Sequence, residues 1–231
     1  MGTEWNVKGY IFDYGGTLDT GGRHWGQMLW HAYRQTGVPV TEQRFREAYV
    51  EVERFLGKNP VIESNYTFRQ TLSEKIKRQL QAIDASGGLQ AFHAPILDNL
   101  YAEACRHTRQ SRDVLVQLKE HYRLVLVSNF YGNLTTVLRE FHLDGLFSKV
   151  IESAVVGVRK PDPHIFLLGV EALGLAPAEV AVVGDSMEKD LIPAKAVGCQ
   201  TVWLKGEGWT AGSPAENRAD RVITDLKELL A

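Results

Sequence analysis

Cysteine is scarce. Cys105 and Cys199 are the only two in 231 residues, too few and too far apart for a disulfide framework or a thiolate metal site. Long apolar runs are missing too: nothing approaches the roughly 18 consecutive residues of a membrane span, and no signal-type apolar run opens the sequence. An excess of one charge sign is also absent. Lys and Arg number 26 against 28 Asp and Glu, a formal net charge of −2. That balance gives no electrostatic case for nucleic acid or an anionic membrane as partner. Internal repeats and low-complexity segments do not occur. The expectation left standing is a soluble, cytoplasmic globular protein, long enough for a core domain with an insertion.

The stretch that organises the rest is Val7–Thr20, V-K-G-Y-I-F-D-Y-G-G-T-L-D-T. A short apolar run, Tyr10-Ile11-Phe12, stops at Asp13 and is followed by Gly15, Gly16 and Thr17. Apolar β-formers bounded by glycine read as a buried strand ending in a carboxylate. In an open α/β sheet, ligands bind beyond the carboxyl ends of the strands.

Beyond Thr20 the periodicity becomes helical. Trp25, Met28, Leu29, Ala32 and Tyr33 share one helix face, as do Phe45, Ala48, Tyr49, Val52 and Leu56. A third helix is expected through Phe68, Leu72, Ile76, Leu80 and Ile83, and a fourth opens near Pro95 and carries Ile96 to Ala104. Four helices without a strand predict an all-α insertion over residues 20–107, with residues 1–19 and 108–231 forming one Rossmann-like core. In that core a helix Val114–Glu120 precedes the all-apolar strand Leu124–Val127, and strands then alternate with helices. Strands apolar on both faces imply a mainly parallel, doubly wound α/β sheet.

Polar residues recur where strands end: Asp13, Ser128-Asn129, Lys160 in a following loop, and Asp185 with Asp190. A parallel sheet brings such ends to one edge. A carboxylate there can act as a nucleophile toward phosphorus. A hard cation such as Mg²⁺, held by Asp13 and Asp185, offsets the repulsion between two anions. Lys160 and Ser128 supply a point charge and a hydroxyl for the phosphoryl oxygens.

The order Asp13-x-x-Gly16-Thr17, Ser128-Asn129, Lys160-Pro161-Asp162-Pro163, Gly184-Asp185-Ser186-x-x-x-Asp190 resembles the four motifs of the haloacid dehalogenase superfamily. The helical insertion resembles that family's α-helical cap. The resemblance implies a Mg²⁺-dependent hydrolase acting on a small phosphorylated metabolite through an aspartyl-phosphate. It makes Asp13 nucleophile and metal ligand, with the Gly15 carbonyl and Asp185 completing the metal site. Asp190 and Ser186 stand behind these ligands, Ser128 and Lys160 hold the phosphoryl group, and Gly16, Thr17 and Asn129 lie against the substrate. Arg23, His24 and Arg69 are cap-side candidates to meet a polar or anionic substrate tail.

The sequence departs from the family pattern at one point. A second Asp two residues after the nucleophile, which serves as general acid and base, is here Gly15. Weak or atypical phosphohydrolysis is therefore expected, with a displaced acid from Asp19, His24 or Tyr131. Three alternatives remain. The protein could resemble phosphonoacetaldehyde hydrolase, using Lys58, Lys75 or Lys77 as a Schiff base. It could be a 2-haloacid dehalogenase. Or it could bind metal and phosphate, or a protein partner, without turnover.

Overall fold

The computed structural model describes residues 5–209 and 218–231. Among them six strands form one parallel sheet in the order β3-β2-β1-β4-β5-β6. The strands are β1 (Gly9–Phe12), β2 (Arg123–Ser128), β3 (Lys149–Glu152), β4 (Val180–Gly184), β5 (Gln200–Leu204) and β6 (Arg221–Ile223). The helices are α1 (Trp25–Gln35), α2 (Glu42–Leu56), α3 (Phe68–Ile83), α4 (His93–Lys119), α5 (Leu134–Glu140), α6 (Ser153–Val156), α7 (His164–Leu173) and α8 (Ile192–Ala196). None is long and apolar enough to cross a membrane.

The central strands are buried on both faces because side chains alternate and both faces are apolar. Tyr10, Phe12, Leu124, Leu126, Ala181 and Val183 pack with α4 and α5 on one side. Ile11, Val125, Val127, Val180 and Val182 pack with Ile165, Phe166 and Val170 of α7 on the other. Each such side chain taken fully out of water contributes about 1.5–3 kcal/mol before entropy is counted. The expected doubly wound, mainly parallel sheet is the one observed.

The insertion between β1 and β2 holds α1–α3 and the first half of α4. Thr41 and Thr67 cap α2 and α3 with their hydroxyls, at 3.3 Å from Arg44 N and 3.2 Å from Gln70 N. One expectation is corrected. The helix near Pro95 and the helix Val114–Glu120 are a single 27-residue element, α4, running from insertion into core. The polar stretch Thr108–Arg112 reads as a break but is not one. Thr108 and Ser111 turn inward and satisfy themselves on Ala104 O (2.7 Å) and Leu18 O (2.7 Å), while Arg109, Gln110 and Arg112 stay exposed. After β4 the chain makes a π-turn over Met187–Leu191 that leads into α8. Such π-turns are frequent at functional sites.

Candidate active site and cation centre

The parallel register sets the site. Phe12 lies level with Leu126 and Val183, so the residues just beyond β1, β2 and β4 meet at one edge. Asp13 continues β1 by donating its N–H to Val183 O at 3.0 Å. Its side chain is buried, with Oδ1 2.5 Å from Lys160 Nζ and Oδ2 accepting from Thr17 Oγ1 at 3.1 Å. Lys160 is itself buried and also reaches Asp190 Oδ1 at 2.6 Å.

Thr17 ties the first motif to the fourth. Its hydroxyl lies 3.2 Å from Asp185 Oδ1 and accepts the Asp185 N–H at 3.1 Å. Asp185 is further fixed through its carbonyl, which accepts Trp203 Nε1 at 2.9 Å. Asp190 folds back so that Oδ2 accepts the Ser186 N–H at 3.1 Å. Two glycines permit this packing. A Cβ on Gly184 would sit 2.6 Å from Asp190 Cβ, and one on Gly16 would sit 2.6 Å from the Asp185 carboxylate. Gly16 also has a φ of +100°, which L side chains rarely adopt.

Oxygen atoms of Asp13, Asp185 and Asp190 lie within 4.8 Å of one another. Against three carboxylates stands one ammonium, so with all three ionised the group carries two net negative charges (3 − 1). Burial pushes Asp13 up to about 6, Lys160 opposing and Asp190 adding to the rise. Burial, with Asp190 and Asp13 beside it, holds Asp185 well above the usual carboxylate range. Lys160 moves the other way. Burial alone would lower it, but Asp13 and Asp190 hold it above its ordinary value, so it stays charged. An all-oxygen donor set with excess negative charge fits a hard divalent cation.

The remaining sequence candidates separate. Ser128 is buried at the end of β2, level with Glu152. Asn129 is committed to the Lys160 main chain: Oδ1 accepts Lys160 N at 2.9 Å and Nδ2 donates to Lys160 O at 3.0 Å. It positions the lysine. Gly15 is exposed, and a Cβ added there would meet nothing within 4 Å. Arg23 turns to Glu207 (3.3 Å) and Met28 Sδ (3.2 Å), and Arg69 pairs with Asp98 at 2.5 Å. His24 caps α1, its Nδ1 accepting Gly26 N at 3.0 Å, and lies against Tyr49 and Trp209. Burial pushes His24 down to about 4, with Lys189 adding to the fall. Asp19, also buried, accepts from Gly16 N (2.7 Å) and Trp25 Nε1 (2.9 Å). Burial lifts it to about 7 against those two hydrogen bonds.

Sequence reasoning named Lys75 and Tyr131 but found neither Glu152 nor Glu53. Glu152 is buried below the loop that carries Ser128 to Tyr131, where it accepts Gly132 N at 2.5 Å and Leu134 N at 3.3 Å. An anion at the start of α5 suits the unpaired N–H groups there. In the helical segment, Lys75 of α3 pairs with Glu53 of α2 at 2.7 Å, and Tyr131 OH, from the loop after β2, donates to the same carboxylate at 2.9 Å. Burial would lower Lys75, but Glu53 holds it above its ordinary value. Lys58 and Lys77 are exposed. A protonated, ion-paired Lys75 is poorly suited to Schiff-base chemistry, which needs the neutral amine.

Residues 7–198 match the family model for haloacid dehalogenase-like hydrolases. The chain is 30% identical over 198 residues to glyceraldehyde 3-phosphate phosphatase of Pyrococcus furiosus, covering 84% of this chain and 78% of that protein. It is 29% identical over 238 residues to phosphoglycolate phosphatase of Aliivibrio fischeri, covering 98% and 96% respectively. The fold is similar to that of the HAD-hydrolase YfnB from Bacillus subtilis bound to magnesium (TM-score 0.59, 16% identity, 97% of each chain).

Proposed function

The chain belongs to the haloacid dehalogenase-like hydrolases, and from that premise we propose a Mg²⁺-dependent phosphohydrolase in which Asp13 receives the phosphoryl group of a small phosphorylated metabolite. The observation that carries this reading is the convergence of Asp13, Asp185 and Asp190 within 4.8 Å, with Lys160 between two of them. The two relatives act on short phosphorylated metabolites by name, which supports the substrate class.

Asp13, Asp185 and the Gly15 carbonyl would hold Mg²⁺, with Asp190 and Ser186 behind them. When bound, the ion supplies the positive charge that lets a phosphate dianion approach a carboxylate. Asp13 attacks phosphorus in line, forming an acyl phosphate as the bond to the leaving oxygen breaks. Lys160 neutralises charge on the phosphoryl oxygens without giving up its proton, because Asp190 and Asp13 keep it an ammonium. Ser128 offers a hydroxyl to the same oxygens. Thr17 and Asn129 act by position, one locking Asp13 to Asp185 and the other locking the Lys160 backbone. Residues 20–107 act as a cap that closes over the opening and excludes water. Closure presents Glu53, Lys75 and Tyr131 to the leaving group.

The test is a panel of phosphate esters (2-phosphoglycolate and glyceraldehyde 3-phosphate among them), acyl phosphates, phosphonoacetaldehyde and 2-haloacids, each with Mg²⁺. Phosphate release is expected, and Asp13→Asn should remove it by more than about 10³-fold. Halide or acetaldehyde as product would contradict the reading. So would a folded protein that binds Mg²⁺ and vanadate yet turns over nothing.

A further inference from the structure

A phosphoryl group leaves its oxygen behind, and that oxygen needs a proton only if it is basic. An alkoxide is about as basic as hydroxide, whose conjugate acid has a pKa of about 15.7. A carboxylate, with a conjugate acid near about 4, departs as it is. Whether the site can supply a proton is therefore a question about which substrates it can use.

Among the described residues the polar groups that touch Asp13, and those that touch Lys160 beside it, are already committed. Thr17 Oγ1 lies between Asp13 and Asp185. Lys160 Nζ is held by two carboxylates at 2.5 and 2.6 Å. Asp190 is bound to Lys160 and to Ser186 N, and Asp185 belongs to the cation site. Both oxygens of Asp19 accept N–H groups. Tyr131 and Lys75 both point at Glu53, and burial, with that carboxylate adding to it, makes the Tyr131 proton harder to remove. His24 Nδ1 accepts within its own helix cap, which leaves the ring proton on Nε2, and burial holds that imidazole neutral, so it carries no acidic proton to give. Gly15, two residues after Asp13, is exposed, with no side chain and nothing within 4 Å of where one would begin.

Resting on the phosphohydrolase reading above, we propose that this site is built for phosphoryl compounds whose leaving group departs without a proton: acyl phosphates and phosphoric anhydrides, not alkyl monoesters. An Asp13 oxygen bonds to phosphorus while the bridging oxygen keeps the electron pair of the breaking P–O bond and leaves as an anion. Water then bonds to phosphorus, the Asp13 O–P bond breaks, and the water proton passes to solvent. The same open position offers no base to that water, so the second step is slow and the phosphorylated enzyme accumulates.

The test is a series of substituted phenyl phosphates, near-constant in shape and graded in leaving-group acidity, with acetyl phosphate and glycerol phosphate at the ends, all with Mg²⁺. The proposal expects kcat/KM to fall at least hundredfold from acetyl to glycerol phosphate and to track phenol acidity between them. It expects acid quenching to trap phosphate on the wild-type enzyme, released by hydroxylamine and absent from Asp13→Asn. Gly15→Asp should shrink the acetyl-to-glycerol ratio at least tenfold; should that variant not fold, the wild-type series decides alone. Equal kcat/KM along the series, or a ratio unmoved in folded Gly15→Asp, overturns the inference and leaves the phosphohydrolase reading intact. No turnover and no trapped phosphate with any member overturns both.

Discussion

Two lysines sit beside carboxylates, one at the strand edge and one between α2 and α3, and they differ in charge balance. Lys160 faces Asp13 and Asp190 with Asp185 close by, one positive charge among three negative ones. Lys75 faces Glu53 alone, its ammonium against Oε1, while Tyr131 donates to Oε2. The first group has more carboxylates than cations, which is the basis for proposing a cation there. The second is neutral as it stands and joins α2, α3 and the loop after β2. The difference teaches that a buried ion pair marks a reactive site when its charges fail to cancel, more than when it is merely buried.

The widest break in this comparison comes from removing each lysine. Lys160→Met leaves buried carboxylates unpaired, a loss of about 3–5 kcal/mol. Added Mg²⁺ should restore much of the melting temperature, because the cation replaces the missing charge. Lys75→Met should cost less, about 1–3 kcal/mol, since the Glu53 side chain is 28% exposed and keeps its Tyr131 bond. Mg²⁺ should rescue none of it. Thermal melts with and without Mg²⁺ decide, and equal rescue of both variants would erase the distinction.

A second, smaller effect separates the two groups by pH. Burial raises Asp13 to about 6 and Asp185 well above its ordinary value, so protons and a divalent cation compete for the same oxygens. Mg²⁺ affinity should fall as pH drops from 7 to 5, by up to about tenfold per unit for each proton displaced. Titration calorimetry in buffers of different ionisation enthalpy should register proton release on binding. A pH-independent affinity would place the ion elsewhere. Lys75→Met should leave this profile unchanged. The smallest expected change is that of Tyr131→Phe, which removes one hydrogen bond to Glu53, about 1 kcal/mol, and leaves Mg²⁺ affinity as it was.

The sheet and its active edge were legible because their signals are local. Leu124–Val127 and Val180–Val183 are apolar on both faces, and each ends in a residue of the site. Asp13 and Asp185 directly follow strands, and Lys160 and Asp190 lie in the segments beyond them. Other features depend on distance in the chain, which spacing does not encode. Lys75 is no different in sequence from Lys58 or Lys77; only the approach of Glu53, 22 positions earlier, draws it inward. Glu152 looks like a strand-end charge until α5 folds over it. Asn129 has the residue type of a substrate ligand, yet its amide matches the Lys160 peptide in both donor and acceptor. Continuous α4 was hidden because inward-facing Thr108 and Ser111 satisfy themselves on main-chain carbonyls.

The most direct measurement is a crystal structure grown with Mg²⁺ and beryllium fluoride, a phosphoryl mimic. The account predicts one octahedral cation contacting the Asp13 and Asp185 carboxylates and the Gly15 carbonyl, with the fluoride cage bonded to Asp13 and within reach of Lys160 Nζ and the Ser128 hydroxyl. A cation bound away from Asp185, or a mimic seated anywhere other than on Asp13, would contradict it.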